Sequence, residues 1–438
     1  MLAGLSFVAL SAIAVVFLAR GEPSNRVFLI GWDGADPRAM DELLAAGKMP
    51  NLARLIERGS YGEIATLKPT LSPAIWTTVV TGVHRDTHGV QHFWKGKKAE
   101  GNQELYTSRD REVAAVWGIA TAADRRVDVL GWWATWPAES IRGTFVSDRF
   151  AFNRMGAVAS SFGQNVDLTP TVDGLYSPPE AAPIVEPCRV AAKDAKAPVL
   201  DRLRELDPAI PGVSEFKESM ESFLSQDETN HCLTLALLER DVPEVLLTYY
   251  EGTDIAGHIA WGARYPRLYK KVTGRSLEPE RAALLAGMVE DSYMLQDQRL
   301  GEILQFADER TTIIVMSDHG MHVGDDPTRM WTGQHTRAPA GIFILAGAGV
   351  RPGSTLRDPT MYDVLPTMLT LAGLPVADDL EGRVLQEALL DTDKGGPRRL
   401  PHVATYRRGP RADLPASGAT PADALRSEQL RQLGYTED

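Results

Sequence analysis

The sequence predicts an α/β fold, doubly wound, with a largely parallel central sheet flanked by helices. Two observations predict it. Apolar runs of strand length recur along the chain with little polar alternation, as expected of strands covered on both faces. Stretches of helical spacing alternate with those runs. At 438 residues, 44% hydrophobic and 24% charged, the chain suffices for one large α/β core or two ordinary domains.

The elements follow in order. Residues 1–19 (MLAGLSFVALSAIAVVFLA) are apolar or small throughout. At ~1.5 Å per residue they would extend ~28 Å, roughly a bilayer core. Residues 1–21 therefore read as a signal peptide or an N-terminal membrane anchor, outside the fold. The usual basic residues ahead of the run are missing, and Ala19-Arg20-Gly21 matches a small-x-small cleavage site only loosely. Arg20 and Arg26, just after the run, favour a cytoplasmic body by the positive-inside tendency. RVFLIGW (26–32) is a buried strand, which puts Asp33 at its carboxyl end, where α/β sheets place their sites. Leu52, Leu55 and Ile56 give residues 50–58 a helical face, ended by Gly59. Residues 127–133, 244–250, 311–317 and 340–346 are further strand-length runs, and helices are expected over 197–205, 217–240, 279–306 and 361–373. Residues 151–215, rich in Pro, Gly, Ser and Ala, read as a capping insertion rather than a separate domain. A catalytic domain over 26–390 is then followed by a polar, Pro-rich tail, 391–438, with a short terminal helix. No internal repeat is visible.

The net charge of −12 argues against a general nucleic-acid-binding surface, which needs a basic stripe. It does not exclude an anionic substrate, because bound metals can invert the local field. Two cysteines, Cys188 and Cys232, are too few for a disulfide scaffold or a Cys-rich zinc site. They form one disulfide in an exported chain, or two separate core thiols.

Seven residues of metal-ligand type fall in separated clusters beside apolar runs: Asp33 in LIGWDG, Ser72 in TLSPAIWTT, Asp254 and His258 in YYEGTDIAGH, Asp318 and His319 in IIVMSDHG, and His335 in GQHT. Four hard oxygen groups and three imidazoles suffice for two divalent ions sharing a nucleophile, an arrangement that cleaves phosphate esters. Ser72 with Pro73 reads as N-cap and first residue of a helix over 74–81, ended by Gly82. A cap explains the Ser-Pro pair by itself. The same geometry would also point free N–H groups at a phosphate under attack by the Ser72 oxygen. Thr70 is a rival nucleophile. A lone Asp after a strand is ordinarily a turn or cap residue. The Asp318-His319 pair is rarer, and Asp254 and His258 share one helix face at i,i+4 spacing. Lys68, Gln91, His92 and His322 are candidate substrate contacts, with solvated or structural roles as the plainer alternative, and His88-Gly89 reads as a structural turn. Trp132, Trp133 and Trp136 are core or the wall of a hydrophobic pocket.

These residues, in this order, resemble the alkaline phosphatase superfamily, nearest its type I phosphodiesterase/nucleotide pyrophosphatase branch. The resemblance spans roughly 26–386. It rests on GWDGADP, PNLARLIERGS, SPAIWTTVVTGVHRDTHGV, GTDIAGH, SDHGM, GQHT and MYDVLPTMLTLAGLP followed by EGRVL. It implies an alkaline phosphatase-like fold. By the same resemblance, Asp254, His258 and His335 would ligate one metal, Asp33, Asp318 and His319 the other, and Ser72 would be the nucleophile bridging both. Ungapped counting back from Thr81-Gly82 selects Ser72 over Thr70. Two zinc ions are implied, or manganese as in some branches, and an extracytoplasmic body, periplasmic or secreted. Two departures matter. The pyrophosphatases carry Thr as nucleophile and an Asn after the His-Gly pair, where this chain has Phe93, so a nucleotide is not the expected substrate. Sulfatases need a modifiable Cys or Ser followed by x-Pro-x-Arg, and Ser72-Pro73-Ala74-Ile75-Trp76 lacks it. The expectation is a metal-dependent hydrolase of phosphate esters, either phosphodiesterase or phosphomonoesterase, acting through a phosphoseryl intermediate. The alternatives are a phosphoryl-headgroup transferase to a lipid or glycan acceptor, motivated by residues 1–19, and a catalytically silent binding protein.

Overall fold

In the computed structural model the description covers residues 25–95, 104–151, 173–205, 207, 213–391 and 401–407. Residues 1–21, with their expected signal or anchor, lie outside them, as does most of the 391–438 tail with its terminal helix. Among the described residues, no helix is long and apolar enough to cross a membrane.

Eight strands form the central sheet: β1 (Arg26–Trp32), β2 (Gly59–Ile64), β3 (Val127–Leu130), β4 (Gly143–Val146), β5 (Tyr176–Ser177), β6 (Val245–Tyr250), β7 (Thr311–Met316) and β8 (Gly341–Gly347). Their spatial order is β2-β8-β7-β1-β6-β3-β4-β5. The five central strands, β7-β1-β6-β3-β4, run parallel. Antiparallel strands close both edges, with β8 and β2 on one side and β5 on the other. The doubly wound α/β expectation holds.

Both faces of the sheet are covered, which explains why its central strands read as unbroken apolar runs. From β1, Val27 and Leu29 point into a core shared with α3 (Ser72–Thr81), which the one-turn α4 (Arg85–His88) follows, and with α5 (Val116–Ala122) and α9 (Val364–Leu371). Phe28, Ile30 and Trp32 point the other way, to α1 (Pro37–Ala45), α2 (Pro50–Ile56), α6 (Val213–Arg240), α7 (Gly252–Arg264) and α8 (Met288–Ile303). Every residue of β6 and β7 is buried. At about 1.5–3 kcal/mol for each large side chain buried, these two layers dominate the folding free energy.

Several boundaries differ from the sequence expectation, each for a local reason. The helix expected over 50–58 stops at Ile56. Gly59 opens β2 instead of capping the helix, and a Cβ there would meet the Leu345 carbonyl of β8 at 2.2 Å. The run 127–133 is strand only to Leu130, because Gly131 turns the chain at φ +68°. The single helix expected over 279–306 is two, Pro279–Leu285 and α8, parted by Gly287 at φ +82°. Of the 151–215 insertion, residues 152–172, 206 and 208–212 lie outside the described ones. The described part adds β5 to the sheet edge and sends Leu175, Val185 and Leu200 into the main core. Cys188 is disulfide-bonded to Cys232 of α6, closing a loop of 44 residues.

Candidate metal centre

Three adjacent parallel strands build the site. Gly31 of β1 stands beside Met316 of β7, and Trp32 beside Tyr250 of β6, so the three strands end at one level. Asp33 follows β1 directly and its N–H bonds the Tyr250 carbonyl at 2.9 Å. Asp318 and His319 follow β7. Asp254 and His258 lie one turn apart on α7, which starts where β6 ends. His335 follows a short strand, Gly333–Gln334, paired with His322–Val323.

The six side chains form two buried triads, Asp254–His258–His335 and Asp33–Asp318–His319. In each, one ligand atom per residue lies within 4.8 Å of the others. His258 Nε2 is 3.4 Å from Asp254 Oδ2. His319 Nε2 is 3.4 Å from Asp33 Oδ1 and 3.5 Å from Asp318 Oδ2. The triads share a wall. The His335 ring stacks on His319 at 4.2 Å between centroids and meets His258 edge-on at 5.0 Å. Gly34 sits between them at φ +64°. Its N–H donates to Asp318 Oδ1 at 3.3 Å, and a Cβ there would lie 2.7 Å from Asp254 Oδ1.

Backbone acceptors orient the imidazoles. His258 Nδ1 lies 3.2 Å from the Gly333 carbonyl and His319 Nδ1 3.0 Å from that of Gly320. A carbonyl only accepts, so Nδ1 carries the proton in both rings and Nε2 presents a lone pair to its triad. Burial keeps the rings neutral. It lowers His258 to about 3, and burial first, then neighbouring imidazoles, hold His335 well below its ordinary value. Burial works oppositely on the acids. It raises Asp318 to about 7, and burial with the Asp318 charge raises Asp33 to about 7. Asp33 Oδ1, Ser72 Oγ, Asp318 Oδ2 and His319 Nε2 are inaccessible to solvent and make no well-formed hydrogen bond. Polar atoms so placed need compensation. Divalent cations fit this donor set. Two imidazoles with one carboxylate, and one imidazole with two carboxylates, are mixed N/O sets suited to zinc and acceptable to manganese.

Ser72 differs in detail from its expected place. The helix begins at Ser72 itself, with Leu71 at the cap position, so the hydroxyl does not cap its own helix. It is buried and turned to Asp318, whose charged form it helps to stabilise. Thr70, the rival hydroxyl, accepts from Lys68 Nζ at 3.3 Å. That ammonium also donates to the Ala338 carbonyl at 2.9 Å, and its charge reaches both His319 and His322. His322 pairs in register with Gln334, next to His335, and its Nε2 accepts from the Arg337 N–H at 3.3 Å. Lys68 and His322 are thus brought to the centre. Gln91 is exposed, and the His92 ring lies against Phe93 and Trp94; these contacts do not join the triads. Trp132, Trp133 and Trp136 are buried core, and the first two also hydrogen-bond towards the site.

Sequence reasoning did not find Trp76, Tyr249 or Asp227. Trp76 Nε1–H and the Tyr249 hydroxyl both donate to Asp33 Oδ2, the former at 2.9 Å. Asp227 of α6 accepts from the N–H groups of Glu251 and Gly252, at the start of α7, at 2.6 and 3.0 Å. Their only signal was a polar atom within an apolar run or helix.

A model of the type I phosphodiesterase / nucleotide pyrophosphatase family matches residues 27–339, which include all seven residues of the centre. The chain is 35% identical over 78 residues to a 2,3-bisphosphoglycerate-independent phosphoglycerate mutase of Laribacter hongkongensis (strain HLHK9), covering 18% of this chain and only 15% of the mutase. Among solved structures it is similar to the phosphonoacetate hydrolase of Sinorhizobium meliloti 1021 in complex with phosphonoformate, at 16% identity and a TM-score of 0.39, over 69% of this chain and 58% of the hydrolase. It is also similar to an inactive murine ectonucleotide pyrophosphatase / phosphodiesterase 5 in complex with AMP, at 11% identity and a TM-score of 0.43, over 80% of this chain and 95% of that one.

Proposed function

The chain belongs to the type I phosphodiesterase / nucleotide pyrophosphatase family, and on that premise we propose that it hydrolyses phosphate esters at a two-metal site through a phosphoseryl intermediate on Ser72. The observation that carries this reading is the pair of buried triads sharing a wall at His335, with the Ser72 hydroxyl turned to Asp318.

Asp254, His258 and His335 would hold one divalent ion, and Asp33, Asp318 and His319 the other, zinc by their donor chemistry or else manganese. When bound, the pair supplies positive charge that eases ionisation of the Ser72 hydroxyl and offsets charge on the phosphoryl group. Ser72 Oγ attacks phosphorus in line with the ester oxygen. The P–Oγ bond forms as the bond to the leaving oxygen breaks, and the proton lost by Ser72 ends, through solvent, on the departing alcohol. The open N-terminus of α3 directs its first N–H groups and positive end at the transferring oxygens. The Lys68 ammonium adds positive charge beside His319 and His322, and His322, Gln91 and His92 are the further candidates for contact with the rest of the ester. Water then cleaves the phosphoseryl bond, releasing phosphate or a phosphomonoester, and its proton restores the Ser72 hydroxyl.

We place the body outside the cytoplasm, periplasmic or secreted and tethered or led there by residues 1–21. The Cys188–Cys232 disulfide supports this, since such bonds persist in oxidising compartments.

The test pairs metal analysis with initial rates of the zinc-loaded chain on an aryl phosphate monoester and diester. Ser72→Ala should lower either rate at least 10³-fold while retaining both metals. A variant as active as the parent would remove Ser72 from the mechanism. Zinc-replete protein inactive on both esters, but moving a headgroup to a lipid acceptor, would favour a transferase. A chain without zinc or rate would be a binding protein.

A further inference from the structure

The two oxygens of Asp33 have different surroundings, and the chain enforces the difference. Oδ1 makes no hydrogen bond and faces His319 Nε2 at 3.4 Å. Oδ2 accepts from Trp76 Nε1–H at 2.9 Å and from the Tyr249 hydroxyl. Trp133 Nε1–H donates in turn to the Tyr249 oxygen at 2.6 Å. An indole nitrogen only donates, so the Trp133 contact takes a lone pair of the phenol and leaves its one proton directed at Asp33. The donors are themselves held. Trp132 Nε1–H bonds the Trp76 carbonyl at 3.1 Å. The Trp76 ring meets Trp132 and Tyr249 edge to face at 5.1 and 5.4 Å between centroids. Trp76, Trp132 and Tyr249 are each at most 1% exposed. In a core packed this closely, neither donor can swing from Oδ2 without opening a void.

We propose that Tyr249 is a positioning residue of the metal centre: aimed by Trp133 and seconded by Trp76, it occupies Asp33 Oδ2 and restricts Asp33 to binding its cation through Oδ1 alone. The proposal rests on the metal reading above. Without the phenol, Trp76 is the one donor to Oδ2 left among the described residues, and the carboxylate can turn both oxygens to the ion, changing the coordination geometry of that site. Nothing comparable changes at Asp254, His258 or His335. The effect is therefore specific to one site, which a general packing role would not be. Loss of such an outer-shell hydrogen bond ordinarily weakens metal binding about 10- to 100-fold.

The experiment is calorimetric titration of the EDTA-treated full-length chain with Zn²⁺, with the urea unfolding midpoint of each metal-free variant measured alongside. Tyr249→Phe keeps the ring and removes only the hydroxyl. It should weaken one of two zinc equivalents about 10- to 100-fold and leave the other as in the parent. Trp133→Phe retains the phenol but frees its proton to rotate, so it should weaken the same equivalent less. Asp254→Ala, by abolishing the other equivalent, identifies which one responds. Parental affinity of both equivalents in Tyr249→Phe and Trp133→Phe would overturn the proposal. So would equal weakening of both equivalents together with a lowered midpoint, the signature of a structural role. A parent chain that binds no Zn²⁺ would overturn the metal reading itself, a result distinct from either of these.

Discussion

His88 shows how one residue of a turn can stabilise α3, the helix that begins at Ser72. The sequence placed it in a turn, and Gly89 at φ +87° makes that turn. Its Nδ1 accepts from the Val90 N–H at 3.2 Å, so its proton sits on Nε2, which reaches Thr78 Oγ1 of α3 at 3.1 Å. Burial lowers its pKa to about 3. The folded chain thus refuses a proton that the unfolded chain accepts near pH 6.5. Between about 6.5 and 3 the unfolded state binds more protons, so stability must fall as pH falls through that window. At about 1.4 kcal/mol per pH unit, this group alone should cost the metal-free protein about 2 kcal/mol between pH 6.5 and 5. Urea unfolding at both pH values should give a smaller loss for His88→Gln than for the parent; equal losses would refute the assignment. Single residues were the most legible scale. Asp33, Asp254, His258, Asp318, His319 and His335 all stood out because each follows or precedes an apolar run. Why Gly34 must be glycine was not legible, since the side chain it would strike, Asp254, is far along the chain.

Elements explain what the motifs omitted. α7 carries Asp254 and His258, yet Glu251, at its cap position, gives it no side-chain cap. Asp227 supplies the cap from α6. Besides the two α7 N–H groups, it accepts from Gln296 Nε2 at 2.9 Å and from Arg299 Nη1 at 3.2 Å, both on α8. Three helices converge on this one carboxylate, which burial pushes up in pKa and the Arg299 charge holds down. Removing it would strand a guanidinium that is about 5% exposed. Asp227→Ala should therefore destabilise the protein by about 3–5 kcal/mol, read as a lowered unfolding midpoint, with loosened zinc at the Asp254 triad. An unchanged midpoint would remove Asp227 from this role. The i,i+4 spacing of Asp254 and His258 foretold that they share a face, but a cap supplied in trans leaves no local pattern. Short or polar strands were unreadable for a related reason. GSYGEI in β2 and GTFV in β4 lack an apolar run, and neighbouring strands, not their own sequence, determine them.

At the scale of the whole molecule, the alternation of runs foretold the sheet because four of its five parallel strands, β1, β3, β6 and β7, are apolar runs buried on both faces. The path of the insertion was hidden, because an edge strand, a disulfide and scattered core residues such as Leu175, Val185 and Leu200 attach it, and whether two cysteines pair does not follow from their spacing. Closing 44 residues, the Cys188–Cys232 bond should stabilise the fold by about 4 kcal/mol through the entropy of the unfolded chain. Reduction with a phosphine, followed by thiol blocking, should lower the unfolding midpoint accordingly. Two thiols titrating in the untreated protein would show instead that the bond does not form.

β7, β1 and β6 end at one level. Neighbouring strands in a sheet are ~4.8 Å apart, a spacing fixed by backbone hydrogen bonds and indifferent to side-chain identity. Asp33 and Asp318 leave adjoining strands, so the spacing of the two carboxylates within their triad is measured out by the backbone. Loops stand outside that measure, so they can change in length and sequence while the spacing set by the sheet stays the same.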